Sequence, residues 1–202
     1  QHYAYYQPHQ QAVRRWLQRP LLALADRPHP RDLVVHVRRR DYLWHGWALP
    51  FSWYERLIEQ RCFRQLILVT DDPQDPFFRR FRRYNPLLRS LSSQQDFDYM
   101  ISAQQLALSP SSFAWWAAYL GQAEWIGFPV PHSGIWAPGN ADGVDLWVWD
   151  DPRYERLMAA EPLRLNLAER LYFERLFYCR KAYYQRFRSL QQWCAGLLPA
   201  SI

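Results

Sequence analysis

The sequence is poor in cysteine, and it has no long apolar run, no internal repeat and no low-complexity tract. Its three cysteines, Cys62, Cys179 and Cys194, form neither a close pair nor a metal-ligand spacing, and their odd number argues against a disulfide framework. Because no apolar stretch approaches the roughly 20 residues of a membrane span, we expect no transmembrane segment. These features favour a globular protein of a reducing compartment, and we expect a cytoplasmic location.

Aromatic residues and positive charge are abundant. Hydrophobic residues make up 49% of the chain and charged residues 22%, which is a globular rather than a disordered composition. Aromatic residues reach 17%, with 11 Trp, and rings in surplus often line sites for sugars or bases. The net charge of +6 suits a phosphorylated ligand, a nucleic acid or the anionic inner face of a membrane, and it does not choose among them.

The segment from His36 to Tyr42 is the most informative stretch of the chain. It follows residues 32–35, a short apolar run that is typical of a buried strand. Arg38, Arg39 and Arg40 come where that strand should end, and in an open α/β sheet ligands bind outside the carboxyl ends of the strands. Guanidinium groups suit phosphate there, because their planar fork donates to two oxygens at once. The alternative is a solvated basic loop.

Strand patterns and helix patterns alternate along most of the chain. This alternation predicts a parallel sheet built from right-handed βαβ units, which is a Rossmann-like α/β fold. We predict strands at 32–37, 65–70, 87–91, 106–108 and 124–127, helices at 8–25, 52–62, 73–83, 96–104, 111–120 and 151–160, and loops at 38–50 and 129–145. Helix caps are expected at Ser52, with Glu55 as its capping-box partner, and at Asp72, ahead of Pro73. Residues 162–195 should form a long amphipathic helix or helix pair.

Polar residues of complementary kinds follow three of the predicted strands. They are Arg38 and Arg39 after the first strand, Asp71 and Asp72 after the second, and Ser109, Ser111 and Ser112 after the fourth. The serines begin a predicted helix, where backbone N–H groups and the helix dipole favour an anion. Arginines and a helix start can together hold a diphosphate without a metal. A nearby carboxylate could accept two N–H groups from guanine.

At these positions the chain resembles the α1,2-fucosyltransferases and, more distantly, the α1,6- and protein O-fucosyltransferases. The hallmark of that family is His-x-Arg-Arg-Gly-Asp-Tyr, which residues 36–42 match except that Arg40 stands at the glycine. Residues 71–73 are similar to a second family segment, and residues 5–7 to the aromatic-Gln segment that precedes the nucleotide-binding half.

A third similarity covers residues 97–100 followed by residues 108–120, in which Pro110 and Ala114 depart from the usual family text. The resemblance spans roughly residues 3–128, with its motifs in order and at compatible spacing. One such motif would be weak, whereas three in series are fairly specific.

The resemblance implies the carboxy-terminal, donor-binding half of a GT-B glycosyltransferase that is inverting, metal-independent and uses GDP-fucose. Fucose would pass to a hydroxyl of a glycan acceptor, in α1,2 linkage to galactose. The nucleotide-binding residues that it implies are His36, Arg38, Arg39, Asp72, Ser111 and Ser112. Arg38 would hold the β-phosphate with Arg39 in support, while Asp72 and His36 would sit toward the nucleoside. No metal and no resident cofactor are implied.

Structural roles are open for the same residues. His36 could simply hydrogen-bond within the core, and Arg39 could form an ion pair with Asp41. One of Asp71 and Asp72 could serve only as a helix cap.

For catalysis, Arg38 would stabilise the negative charge that builds on the departing GDP. The general base for the acceptor hydroxyl stays open among Asp41, His45 and, less favoured, Glu55.

Two other functions remain open. A related GT-B transferase could use another nucleotide sugar, which Arg40 in place of glycine favours. A basic nucleic-acid-binding module could use the arginines of residues 79–83, although a solvated helix face is the simpler interpretation and we expect no nucleic-acid partner.

The expected domain limits follow from the resemblance and from the start of the chain, which carries neither an initiator methionine nor a signal-like run. We expect residues 1–30 to be a linker helix left from a truncated amino-terminal domain, residues 31–160 to be the nucleotide-sugar domain, and residues 161–202 to be a helical segment. Such a chain should bind GDP without robust transfer.

Overall fold

The computed structural model describes residues 1–17, 27–131, 135–136 and 143–177. The chain divides into two units, residues 1–164 and 165–202. The first contains a six-stranded sheet in the order β3-β2-β1-β4-β5-β6, and every pairing in it is parallel. The strands are β1 (Leu33–Val37), β2 (Leu66–Thr70), β3 (Leu87–Arg89), β4 (Gln105–Ala107), β5 (Trp125–Pro131) and β6 (Tyr154–Ala159). The predicted Rossmann-like parallel sheet is therefore confirmed.

Helices precede the first strand and lie between most of the later ones. They are α1 (Gln10–Trp16), α2 (Arg40–His45), α3 (Phe51–Glu59), α4 (Ser93–Ile101) and α5 (Ser112–Leu120), with 3₁₀ helices at Tyr3–Tyr5, Gln7–His9 and Pro76–Tyr84. Among the residues that the structure describes, no helix is long and apolar enough to cross a bilayer.

The central strand β1 is buried along its whole length, and its side chains alternate between two cores. Leu33, Val35 and Val37 pack with α3 and the phenylalanines of the Pro76–Tyr84 helix. Val34 points to the other face and packs with α4 and α5. Each such aliphatic side chain stabilises the fold by about 1.5–3 kcal/mol on full burial. His36, the only polar residue of β1, lies on the same side as Val34.

The strand order places a topological switch between β1 and β4. From β1 the chain moves outward to β2 and β3, and then returns to the other side of β1 as β4. The segments that follow β1 and β4 therefore leave the sheet in opposite directions and open a crevice between them. Ligands of open α/β sheets bind in this crevice.

The prediction of a helix over residues 151–160 is wrong, because these residues contain the edge strand β6. The prediction failed because the run of Glu, Arg, Leu, Met and Ala has high helix propensity. Parallel pairing with β5 over six residue pairs overrides that local preference.

Two predicted caps are also wrong. Ser52 lies inside α3, whose N-cap is Pro50, so Ser52 and Glu55 form no capping box. Asp72 caps no helix, because the following helix begins four residues later, at Pro76. Its cap is Asp75, whose Oδ1 accepts a hydrogen bond from the Phe77 N–H at 2.8 Å. The Asp-Pro signature occurs twice in this stretch, and only the second copy starts a helix.

The amino-terminal residues pack into the first unit. Tyr3 is fully buried, and its ring lies edge-on to Trp115 and Tyr119 of α5. Its hydroxyl donates to Asp150 Oδ1 at 2.6 Å. The helix predicted over residues 8–25 appears as α1, and the part over 18–26 lies outside the described residues.

In the second unit, residues 167–177 are helical. Asn166 caps this helix, since its Oδ1 accepts a hydrogen bond from the Glu169 N–H at 3.0 Å. The remainder of the helix predicted over 162–195, from residue 178 on, lies outside the described residues.

Candidate functional site

A cleft of about 700 Å³ opens at the carboxyl ends of the central strands, at the topological switch. Its lining comes from parts of four segments, at residues 36–47, 69–71, 90–96 and 111–113. Five residues predicted for the site lie together on this lining: His36, Arg38, Asp41, Ser111 and Ser112. Arg39, Asp72 and His45 were also predicted, and their side chains lie elsewhere.

His36 joins the two sides of the switch. Its Nδ1 lies 2.6 Å from the Ser109 hydroxyl, just beyond the end of β4, and its ring centroid lies 5.9 Å from that of Phe113. Burial lowers the pKa of His36 to about 3, and the nearby charge of Arg38 acts in the same direction. The imidazole is therefore neutral at physiological pH. His36 forms a buried hydrogen bond and lines the cleft as well.

Acidification is expected to destabilise the first unit through His36. The unfolded chain binds a proton at the ordinary pKa of 6.5, and the folded chain only near 3, so stability present above pH 6.5 is lost as the pH falls toward 3. The part lost by pH 4.5 is about 2–3 kcal/mol.

Urea unfolding at pH 7 and pH 4.5 measures this loss. The wild type should lose about 2–3 kcal/mol more than His36→Asn between the two values. His45→Asn, at an exposed position, should behave like the wild type. Equal losses in the wild type and in His36→Asn would contradict the assignment.

Arg38 is held in place at the cleft by two carboxylates. Its Nη2 lies 2.9 Å from Asp41 Oδ1, and its Nη1 lies 3.4 Å from Asp71 Oδ2. The side chain remains 34% exposed, and its guanidinium lies 5.5 Å from the centroid of the Tyr42 ring. The guanidinium is thus oriented before a ligand arrives, with part of it open to the cleft.

Arg39 has a different environment from its neighbour. Its side chain is buried, its Nε donates to Asp75 Oδ2 at 2.7 Å, and its guanidinium covers the Phe77 ring at 3.9 Å. The interpretation of Arg39 as an ion-pair partner of Asp41 is wrong, because Asp41 pairs with Arg38. Arg39 supports the site through its backbone, since its N–H donates to Asp71 Oδ1 at 2.9 Å.

The amino terminus of α5 opens onto the cleft. Ser111 is its N-cap residue, and no side chain caps the nine-residue helix. The Ser111 side chain is hydrogen-bonded to the hydroxyl of Tyr42, whose pKa is raised to about 12, chiefly by burial. Ser112 and Phe113 complete this wall. An uncapped helix start of this length favours an anion such as phosphate.

The Asp-Asp pair after β2 divides between the cleft and the interior. Asp71 lines the cleft, whereas Asp72 is buried, does not line it, and donates its backbone N–H to Thr70 Oγ1 at 3.1 Å. His45 is exposed and lies outside the lining. Its ring stacks at 4.4 Å on Trp47, which does line the cleft.

The sequence interpretation missed the wall that follows β3. Ser90, Leu91, Ser93 and Asp96 line the cleft there. Burial raises the pKa of Asp96, although the Leu91 N–H donates to it at 3.0 Å and Arg89 lies 3.2 Å away. The positions that follow the predicted third strand, 87–91, include Ser93 and Asp96, whereas Ser90 and Leu91 lie inside that prediction because the observed strand already ends at Arg89.

Trp47 had no comparable signal in the sequence. It follows α2, a helix inside the predicted loop 38–50, and Gly46 ends that helix in the left-handed conformation, with φ of 69°. Glycine adopts this conformation readily, and the turn brings Trp47 onto the cleft.

No group of three or more His, Cys, Asp or Glu side chains suitable for a metal ion occurs in the described part of the chain. Comparison with protein-family models, with curated proteins and with solved structures gives no match. The fold and the cleft therefore define the class by themselves: a Rossmann-like α/β protein with a cleft at its topological switch, lined by two arginines, three aspartates and an uncapped helix start. Such a cleft is chemically suited to a phosphorylated ligand.

Proposed function

We propose that the chain is the donor-binding half of a GT-B-like fucosyltransferase, which transfers fucose from GDP-fucose to a glycan hydroxyl with inversion. The observation that carries the proposal is the meeting of Arg38 and the uncapped start of α5 in one cleft at the topological switch. The motif of residues 36–42 supports the particular donor through its likeness to the α1,2-fucosyltransferases.

The donor's diphosphate would lie between Arg38 and Ser111. Arg38 offers a planar fork of N–H groups, while the first turn of α5 offers backbone N–H groups and the positive end of the helix dipole. These groups supply the positive charge that a metal ion supplies in other enzymes, so the proposal needs no metal. The cleft volume of about 700 Å³ lies within the usual range of pockets for small ligands.

In the reaction, the bond between the sugar C1 and the β-phosphate oxygen breaks, and its electron pair leaves with GDP. The acceptor oxygen bonds to C1 from the opposite face and loses its proton to a base. Arg38 stabilises the charge that builds on the β-phosphate, an effect that often dominates catalysis. His36, neutral because of burial, fixes the end of β1 beside Ser109.

Asp41 is our choice for the general base. It lies on the cleft, 2.9 Å from Arg38, whereas His45 lies outside the lining and stacks on Trp47. Glu55, which is paired with Arg83 at 2.7 Å, lies outside the lining and is not placed for the role.

The contacts of the basic helix do not favour a nucleic-acid-binding function. Arg83 is paired with Glu55 and Glu59, each at 2.7 Å, and Arg80 lies over the Phe51 ring at 4.3 Å. Two of the helix's arginines therefore already have partners within the protein. We propose a cytoplasmic location, in which the net charge of +6 would suit contact with the anionic inner face of a membrane.

A thermal-shift comparison of GDP, UDP, ADP and CMP, all in EDTA, tests the proposal. GDP at a hundredfold excess over its Kd should stabilise the fold by about 2.7 kcal/mol, which raises Tm by roughly 5–10 °C. The other three nucleotides should have smaller effects. Equal stabilisation by all four would remove the GDP-fucose assignment, and stabilisation by none would refute a nucleotide-sugar site.

A further inference from the structure

Arg40 has an unusual backbone conformation. Its φ is 25°, and Asn85 is the only other non-glycine residue with a positive φ in the described part of the chain. Side chains other than glycine are strained in this region, and such strain persists mainly where it serves a site. In the resembling family the same position is a glycine. This chain has instead a long cationic side chain there, and that side chain is exposed and lines the cleft.

Arg40 differs from the other charged residues of the lining in its lack of an ion pair with any described residue. Arg38 is matched by two carboxylates, Asp41 and Asp71, and Asp96 is matched by Arg89. Arg40 forms no ion pair with any residue that the structure describes. Without it, two carboxylates would face the single guanidinium of Arg38, and their charge would oppose the binding of a polyanion. Arg40 thus offsets the second of these carboxylates, and its own guanidinium is bound by no carboxylate of the described residues.

The position of Arg40 indicates which part of a ligand it would meet. Arg38, bound on both sides by carboxylates, is only about one-third exposed, whereas Arg40 begins α2 and is exposed. Both guanidinium groups are thus accessible from the cleft, and only that of Arg38 is bound by carboxylates. In a sugar nucleotide, the phosphate next to the sugar is the one that Arg38 contacts in the proposed function, and Arg40 on the same lining would contact it as well.

We propose that Arg40 is a specificity-determining residue that binds the terminal phosphate of a nucleoside diphosphate together with Arg38. The inference rests on the proposed function and extends it, since it assigns a phosphate contact to the position where the resembling family has no side chain. It predicts that the preference for a diphosphate over a monophosphate depends on Arg40.

Calorimetric titration of GDP and GMP into the wild type, Arg40→Gly and Arg40→Lys tests this inference. The wild type should bind GDP more tightly than GMP. Arg40→Gly should reduce the ratio of the Kd for GMP to the Kd for GDP at least tenfold. Arg40→Lys should give an intermediate ratio, because an ammonium keeps the charge without the fork. Arg79→Ala, which removes an exposed arginine outside the cleft, should keep the wild-type ratio.

Loss of folding cannot explain the expected result, because glycine relieves the backbone strain and Arg40→Gly should unfold at the same Tm or higher. An unchanged ratio in Arg40→Gly would overturn this inference and leave the proposed function standing. A wild type that binds neither GDP nor GMP would overturn both.

Discussion

Replacement of Arg38 by lysine is expected to weaken GDP binding about ten- to a hundredfold, although the charge is kept. The guanidinium reaches Asp41 and Asp71 with two different nitrogens and still presents an exposed edge to the cleft. An ammonium cannot bridge two carboxylates and donate in a plane to phosphate oxygens as well. The loss of hydrogen bonds to charged groups, at about 1.5–3 kcal/mol, gives this range.

The effect on transfer should be larger than the effect on binding. Loss of one group that stabilises developing charge typically costs a hundredfold or more in rate. Calorimetry with GDP measures the binding part, and Arg79→Lys, an exposed position outside the cleft, is the matched control. A Kd for Arg38→Lys within threefold of the wild type would show that Arg38 does not hold the phosphate.

The second large effect is expected at Asp75, which lies outside the cleft. Asp75→Ala should lower the free energy of unfolding by about 3–5 kcal/mol, because it leaves the buried Arg39 without its counter-charge. Asp75 is 3% exposed, and Nη1 and Nη2 of Arg39 have no hydrogen-bond partner among the described residues. The change also removes the cap of the Pro76–Tyr84 helix.

Urea unfolding at pH 7 measures this loss, and Glu124→Gln, at an exposed position, is the control that should change little. The double variant Arg39→Met with Asp75→Leu should recover much of the stability, since apolar replacement of a whole buried pair is often tolerated. A loss below about 1 kcal/mol for Asp75→Ala would contradict the structural role of the pair.

The two neighbouring arginines show how far a sequence motif can be interpreted. The motif predicts guanidinium groups at the end of β1, and both arginines are there. Their different roles depend on partners far along the chain, because Asp75 lies 36 residues beyond Arg39 and Asp71 also follows β2. Only the sheet pairing shows which carboxylate meets which arginine.

The strands of the sheet likewise include some that the sequence predicts and one that it does not. The strands β1 to β5 could be predicted, because short apolar runs of that length have few alternatives. The edge strand β6 could not be predicted, since half of it is exposed and its residues prefer helix. At the site, Arg38 and Ser111 were correctly grouped because both follow strands whose carboxyl ends meet at one edge of the sheet. His45 lies at the end of α2, and it is not part of the lining.

The most direct test of the central claim is hydrogen–deuterium exchange of the wild-type chain with and without saturating GDP. The claim is that one cleft at the topological switch holds the diphosphate. Amides at the end of β1 and the start of α2, at Asp71, and in the first turn of α5 should then exchange more slowly with GDP, while those of the Pro76–Tyr84 helix should not change. Protection confined to that basic helix, or an unchanged first turn of α5 at saturating GDP, would contradict the account.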